Sequence, residues 1–413
     1  MSGTLIHHRT HGAAVIPSFS PDPDFDFEIR SAIGHSAEGA AEIGEVLAAT
    51  SGIRKGDHEA WFAAWSDLAL RTLAIADEAA ASEHVVSASE AYLRASAYFG
   101  IAVNAASGGD DDALVSSTFA QQQAAWDAFV DHAPVAVDRV EIPYEGSTLP
   151  GWLFLSSTPA PHRATVVAVN GSDGSLASLW ASCIAPALRR GYNVLAFDGP
   201  GQQSELFVKG TTFRSDWENV LTPVFDAVSG MPGVDPDRIA VYGISQGGYW
   251  VARAIAFEHR FAAAITDPGI VDVSTSWTSQ LPKSLLKTLD AGDTAKFDQE
   301  MAFGMRFSPE TARRWRFRAR PYGAKGFAET VEEVRSYTIA DVADRITTPL
   351  LILSPEREQF WPGQADRLAS LTTGVSTVID FTTAEGADGH CEPLARTRAA
   401  QRMFDWLDDR LTS

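Results

Sequence analysis

Six short apolar runs, separated by helical stretches, occupy the chain from residue 164 onward. They are ATVVAVN (164–170), YNVLAFD (192–198), RIAVYGIS (238–245), FAAAITD (261–267), PLLILS (349–354) and STVIDFT (376–382). The runs are continuously apolar instead of alternating, which is typical of strands that helices cover on both faces. The pattern therefore predicts an α/β fold built on a mostly parallel sheet.

Two segments depart from this alternation of apolar runs and helical stretches. The segment RVEIPYEGSTLPGWLFLSS (139–157) predicts two strands around a Gly-Ser turn, which form an antiparallel hairpin before the first parallel strand. The stretch of about 270–345 is long, charged and helical, and contains SPETARRWRFRARP. We expect it to be a helical insertion that lies over the carboxyl edge of the sheet, before the last two strands.

The first part of the chain, 1–133, has helical periodicity and no strand-like alternation. The predicted apolar faces carry Trp61, Trp65, Leu68 and Ile75 in one helix, Ala91, Ala95, Tyr98, Phe99 and Ala102 in the next, and Phe119, Trp126 and Phe129 in a third. Ser87 and Glu90 match a capping box at the start of the second helix, and the run GGDDD (108–112) suits the start of the third. We interpret the tryptophans as core and not as a binding box. The sequence thus predicts a helical lid domain, 1–133, and a catalytic domain, 134–413.

The charge balance limits the classes of partner. Lys and Arg number 33 and Asp and Glu number 53, which gives a net charge of −20. A chain with this excess of negative charge is not expected to bind nucleic acid or anionic membranes. The two cysteines, Cys183 and Cys391, build no disulfide framework or metal knuckle. Neither a signal-peptide pattern nor an 18-residue apolar window occurs, so we expect a cytoplasmic protein without metal or cofactor, as a monomer or a homodimer.

The pentapeptide Gly243-Ile244-Ser245-Gln246-Gly247 follows a predicted strand and precedes a helical stretch. A strand, a sharp turn and a helix form the context in which G-x-S-x-G presents a nucleophilic serine. Gly243 and Gly247 leave room for neighbouring backbone at the turn. Because a serine hydroxyl needs an adjacent base, the sequence must also supply a histidine. Ser245 is the predicted nucleophile.

The base and the acid are predicted from chain order. His390 stands after the last predicted strand, in AEGADGHCEPLA, where the histidine of a Ser…acid…His order belongs. Glu358, in the loop PEREQFWPGQ after PLLILS, is the preferred acid because it lies four residues before Pro362. Asp267, at the end of the preceding strand, is the main rival, and Glu356 is the third candidate.

Acyl transfer also needs two preorganised N–H donors for an oxyanion. The N–H of Gln246, directly after the nucleophile, should supply one. The loop Asn170-Gly171-Ser172-Asp173-Gly174 should supply the other through Ser172. This loop lacks G-x-G-x-x-G and the Lys-Ser/Thr of a P-loop, so nucleotide binding is set aside.

The motifs together resemble the α/β-hydrolase superfamily over about 135–413. DGPGQ (198–202), GISQGGYW, EQFWPGQ and EGADGHC are similar to the branch that includes 2,6-dihydroxypseudooxynicotine hydrolase, fungal hydrolases that shorten polyketide chains, and FrsA-like esterases. The resemblance implies an N-terminal helical domain over the active site, to which WFAAWSDLALR and SASEAYLRASAYF are similar. It also implies cleavage of esters or of C–C bonds next to a ketone. The chain departs from common patterns at Asn170, where histidine is usual, and in having a glutamate, Glu358, as the preferred acid where aspartate is usual.

The leading hypothesis is a cofactor-independent serine hydrolase that acts on a small apolar or aromatic carbonyl compound through an acyl-enzyme. The sequence leaves ester and C–C cleavage open. A prolyl-oligopeptidase-like peptidase or amidase is the alternative, although such enzymes usually carry a propeller of short strands where this chain is helical. A non-catalytic binding protein on the same fold is the third class.

Overall fold

One eight-stranded sheet organises the protein. The computed structural model describes residues 16–158 and 162–411, and all statements of structure refer to them. The strands are β1 (Val137–Tyr144), β2 (Ser147–Phe154), β3 (Arg163–Val169), β4 (Asn193–Phe197), β5 (Val234–Ile244), β6 (Ala263–Asp267), β7 (Leu350–Pro355) and β8 (Ser376–Phe381). Their order is β1-β2-β4-β3-β5-β6-β7-β8. β1 and β2 are antiparallel to their neighbours, and the remaining pairs are parallel.

The sheet confirms the predicted fold class. Each of the six apolar runs contains a parallel strand, and the predicted hairpin is β1–β2. Along β3, Val166 and Ala168 face one hydrophobic core while Val167 and Val169 face the other, so helices cover both faces. β8 is the exception to the expectation of two covered faces. It forms the sheet edge, and the Val378 side chain is partly exposed.

Five α-helices precede the sheet in the described part of the chain. They are α1 (Pro23–His35), α2 (Ile43–Thr50), α3 (His58–Ala81), α4 (Val85–Ser107) and α5 (Asp112–Asp131). Asp111 caps α5 by accepting the Leu114 N–H. No strand lies between residues 16 and 136, where the peptidase alternative would place a propeller.

Two details of the helical prediction are wrong. Ile75 is exposed, because the buried face of α3 continues through Thr72, Ala76 and Ala79. Ser87 and Glu90 do not form a capping box, since α4 already begins at Val85. The other predicted apolar positions are buried, as expected for helices that pack on one another.

The helical segment and the sheet share one core. Trp126 of α5 meets Trp152 of β2 edge-on at 6.0 Å between ring centroids, and Phe129 meets Trp180 at 4.9 Å. Together with Phe154 these rings join the helices to the sheet without an intervening polar layer. Burial of such rings contributes about 1.5–3 kcal/mol each. The N-terminal helices therefore depend on the sheet for part of their hydrophobic burial.

The remaining helices follow the strands in sequence. Those that pack near the sheet are α6 (Leu176–Leu179), α7 (Ala185–Arg189), α8 (Gln203–Phe207), α9 (Glu218–Ser229), α10 (Gly247–Ile255), α16 (Gln364–Leu371) and α17 (Arg396–Leu411). The predicted insertion between β6 and β7 comprises α11 (Thr275–Thr278), α12 (Lys283–Asp290), α13 (Thr294–Phe307), α14 (Pro309–Ala319) and α15 (Phe327–Arg335). Within the described residues, none of these helices has the length and apolarity needed to cross a bilayer.

Candidate active site

Ser245 lies in a strained turn between β5 and α10. Its φ is 54°, in the left-handed region that residues with a side chain rarely adopt. The turn is tight because a Cβ at Gly243 would lie 2.2 Å from the Gly247 carbonyl oxygen, and one at Gly247 would lie 2.8 Å from that of Asn170. Such strain costs about 1–3 kcal/mol and is tolerated where the surrounding structure fixes it. The two glycines thus let the backbone close around Ser245.

A hydrogen-bonded relay connects Ser245 to His390 and Glu358. The Ser245 hydroxyl donates to Nε2 of His390 at 2.9 Å. With Nδ1 protonated, His390 donates to Glu358 Oε2 at 2.7 Å. The other oxygen of Glu358 accepts the N–H groups of Phe360 and Trp361 at 2.8 and 3.1 Å. The structure therefore brings together the preferred three residues, with the carboxylate and imidazole fixed in orientation.

The two rival carboxylates have other partners. Asp267 is fully buried and accepts from Arg396 at 2.9 Å and from the Tyr242 hydroxyl at 3.0 Å. Glu356 is exposed and accepts the Thr383 N–H at 2.7 Å. Neither carboxylate forms a hydrogen bond with His390 in the described part of the chain.

The local electrostatics shift the pKa values of His390 and Glu358 in opposite directions. Burial by itself lowers the pKa of His390, but the charge and hydrogen bond of Glu358, with weaker contributions from Asp267 and Asp173, raise it above its usual value. Burial raises the pKa of Glu358, yet His390 and the two backbone donors outweigh burial and lower it. The pair therefore favours an ionised carboxylate beside the imidazole, and it would stabilise the imidazolium that a proton accepted at Nε2 produces.

The loop after β3 approaches Ser245 closely. A Cβ at Gly171 would lie 2.8 Å from Cβ of Ser245. Among the described residues, the N–H groups of Ser172 and Gln246 have no protein acceptor, while the Gly171 N–H is taken by the Asn170 side chain at 3.0 Å. Two free donors near Ser245 are what an oxyanion requires.

Two amide side chains fix this loop. Asn170 Nδ2 donates to the carbonyls of Gly174 and Ser175 at 2.7 and 3.0 Å. Gln202 Nε2 donates to the carbonyls of Asn170 and Gly171 at 2.8 and 3.1 Å. Asn170 thus organises the loop where histidine is more usual. The positioning role of Gln202 was missed from sequence, although its place after the DGPG turn at the end of β4 was a usable signal.

Ser245 and His390 open into a cavity of about 600 Å³. Helices α1 and α4, the loop after β3 and the insertion all contribute to its wall. Its aromatic and aliphatic lining includes Phe27, Trp61, Tyr98, Ile101, Trp277 and Phe317. The volume and the apolar wall suit a small organic molecule.

Aromatic rings enclose the imidazole. The centroids of Phe360, Trp361 and Phe27 lie 4.8, 5.6 and 6.2 Å from that of His390. Trp61 also packs in the helical core, where it stacks on Phe25 at 4.1 Å. Sequence reasoning missed Phe27, since nothing local relates α1 to His390.

The described residues contain no group of three or more His, Cys, Asp or Glu side chains arranged to hold a metal ion.

Comparison with known proteins places the chain in a family. The family model for the alpha/beta hydrolase family matches residues 166–401. Hydrolase LUC6 of Fusarium sp is 32% identical over 409 residues, which cover 94% of this chain and 97% of that protein. The 20-hydroxy-prefusarin hydrolase FUS2 of Gibberella moniliformis is 35% identical over 269 residues, which cover 62% of this chain and 63% of that protein.

The solved structures agree on the fold. The crystal structure of 2,6-dihydroxy-pseudo-oxynicotine hydrolase superimposes with a TM-score of 0.71 at 21% identity, and the match covers 92% of this chain and 95% of that one. That likeness includes the helices before the sheet, as the resemblance in the sequence predicted. The chain is an enzyme and belongs to the alpha/beta hydrolase family.

Proposed function

We propose that the enzyme is a serine hydrolase that cleaves an ester bond, or a C–C bond next to a ketone, in a small apolar or aromatic carbonyl compound through an acyl-enzyme. Ser245 is the nucleophile, His390 the general base and acid, and Glu358 the orienting carboxylate. The N–H groups of Ser172 and Gln246 form the oxyanion hole. The observation that carries the proposal is the continuous relay from Ser245 through His390 to Glu358 at the wall of an apolar cavity.

In the acylation step, His390 Nε2 takes the proton of Ser245 as Oγ attacks the substrate carbonyl carbon. The carbonyl oxygen becomes an oxyanion, which the two free N–H groups stabilise. Each such donor is worth about 2.7–4 kcal/mol in acyl-transfer enzymes. Collapse of the intermediate breaks the scissile bond, and the imidazolium returns its proton to the departing group.

Deacylation repeats the sequence with water. His390 removes a proton from water, the hydroxide attacks the acyl carbon, and Ser245 recovers its proton as the acid product leaves. For an ester the departing group is an alkoxide or phenoxide. For a C–C bond it must be a carbon that a second carbonyl stabilises as an enolate, or one that is conjugated to a phenolate. Two of the similar proteins are named after a substrate: one is a prefusarin hydrolase and the other a pseudo-oxynicotine hydrolase. Both names indicate small organic substrates for those proteins, which supports a small organic substrate here.

The proposal is tested with Ser245→Ala and, as a control, Ser116→Ala on the exposed face of α5. A fluorophosphonate probe should label the wild type and Ser116→Ala but not Ser245→Ala. A panel of nitrophenyl esters, aryl β-diketones and peptide anilides should then identify the bond that is cleaved. Retention of more than about a hundredth of wild-type kcat in Ser245→Ala would rule out the assigned nucleophile.

A further inference from the structure

Helix α14 of the insertion carries arginines along the cavity and the N-terminal helices. Three of them pair with carboxylates: Arg314 with Asp24, Arg316 with Asp110, and Arg320, directly after the helix, with Asp112. Arg313, which also lines the cavity, donates to a backbone carbonyl of α4.

Arg318 also lines the cavity and, like Arg313, has no carboxylate within 4 Å among the described residues. Its guanidinium is held by Ser276, to whose carbonyl and hydroxyl oxygens it donates at 3.2 and 2.8 Å. It also stacks over the Trp277 ring at 4.3 Å. These contacts fix its position, but they use neutral partners and leave donors of the five N–H groups unused.

Among the described residues, no acidic residue of the cavity lining compensates the charge of Arg318 by a direct contact. Asp24 and Glu310 also line the cavity, but they are paired with Arg314 and His58 at 2.6 and 2.7 Å. Each of these contacts joins an N-terminal helix to α14. Only Glu28 and Asp173 remain as acidic residues of the lining.

Burial raises the pKa of Glu28 to about 8, so this carboxyl is mostly neutral at pH 7. Burial also raises the pKa of Asp173, although His390 and Arg318 oppose that change. Burial lowers the pKa of Arg318 to about 10, which still leaves it cationic at neutral pH. A partly buried cation without a paired carboxylate is less stabilised than a paired one, and a charged group with a perturbed pKa in a cleft is a candidate functional group.

Arg318 is also connected to the reacting centre. Trp277, over which it stacks, packs edge-on against Tyr322 at 5.6 Å. The Tyr322 hydroxyl donates to the side chain of Gln246, the residue after Ser245. Ser245 and Arg318 therefore line the same cavity and are linked through Trp277, Tyr322 and Gln246.

We propose that Arg318 determines substrate specificity by binding an anionic oxygen of the substrate, either a carboxylate or an ionised 1,3-dicarbonyl, at a distance from the carbonyl that Ser245 attacks. This inference rests on the proposed function and narrows its substrate class. The planar guanidinium suits such oxygens because it can donate two parallel N–H bonds.

The test measures binding in the Ser245→Ala background, where no turnover is needed, by isothermal titration at pH 7.5. One ligand pair is 4-phenylbutanoate and its neutral amide. The other is 5-phenylcyclohexane-1,3-dione, which is ionised at this pH, and neutral 3-phenylcyclohexanone. We expect at least one anion to bind about tenfold or more tightly than its neutral partner, as a charge-assisted bond in a dry site predicts. The responding pair identifies the source of the anionic oxygen.

Arg318→Met should abolish the preference, while Arg318→Lys should retain part of it. Arg316→Met is the matched control, because Arg316 lies on the same helix outside the cavity, and it should retain the full preference. Arg318→Lys also serves as the informative variant if the methionine variant melts early. Equal binding of anion and neutral partner in the parent, a preference that survives in Arg318→Met, or no binding of any of the four ligands would overturn the inference. Loss of fluorophosphonate labelling in the wild type would instead contradict the proposed function.

Discussion

Asp267 ends one parallel strand and Glu358 follows the next, yet their contacts predict opposite effects of substitution. Asp267 is buried against Arg396, whose side chain is only 3% exposed, and Glu392 lies 3.3 Å from the same guanidinium. Asp267→Asn removes one charge of this buried cluster. Glu358→Gln removes the group that orients His390 and stabilises its charged form.

The magnitudes follow from these contacts. Loss of one partner of a buried ion pair costs about 3–5 kcal/mol. The Glu392 carboxyl group keeps its contact with Arg396, so we expect the lower end, about 3 kcal/mol. With roughly 2.1 cal/mol/K of unfolding entropy per residue over the 413-residue chain, this corresponds to a fall in Tm of about 3–4 °C. The Asp267→Asn variant should retain kcat within about tenfold, because Asp267 does not contact His390.

Glu358→Gln should show the reverse pattern. Its kcat should fall by about 10⁴, the effect of replacing the acid of a Ser-His-acid triad by its amide, with a smaller change in Tm. Glu356→Gln is the control and should leave both quantities nearly unchanged, because Glu356 is exposed. Thermal melts followed by circular dichroism, together with kcat on the best substrate of the panel, provide the two measurements.

Two outcomes would refute this reasoning. A folded but inactive Asp267→Asn beside a nearly normal Glu358→Gln would make Asp267 the acid of the relay. An unchanged Tm in Asp267→Asn would show that the buried cluster does not contribute the stability assigned to it.

Three further predictions use the same structure. Because Glu358 raises the pKa of His390, the acid limb of the kcat/KM profile should move to lower pH in Glu358→Gln, and an unmoved midpoint would contradict that cause. The pKa of Glu28 is raised to about 8, so its contribution to stability is present below about pH 4.5 and is lost as pH rises through 8. The Glu28→Gln variant should therefore have a higher urea unfolding midpoint than the wild type at pH 9. This difference should vanish at pH 4.5. Because the helices share a core with the sheet, the fragment 134–413 should aggregate or lose substrate specificity, even if the fluorophosphonate probe still labels it. A monomeric fragment with unchanged kcat/KM would show that the helices have no role in the site.

The strand positions and the elbow at Ser245 could be predicted from sequence because they depend on local signals. Continuous apolar runs place strands, and glycines at 243 and 247 permit a turn that other residues would block. His390 followed from chain order alone. The errors at Ile75 and at the capping box arose where tertiary packing and helix extension outweighed a local pattern.

Only the tertiary structure distinguished the two carboxylates. β6 and β7 are adjacent parallel strands, so Asp267 and Glu358 reach the same edge of the sheet, and the spacing to Pro362 favoured Glu358 without excluding Asp267. The distinction comes from Arg396, which lies 129 residues beyond Asp267 and pairs with it, while the loop after β7 turns Glu358 toward His390. The same holds for the cavity wall, where Phe27 and Arg318 meet residues far away in the chain. Such contacts depend on how distant segments pack together, which the pattern within any one segment does not specify.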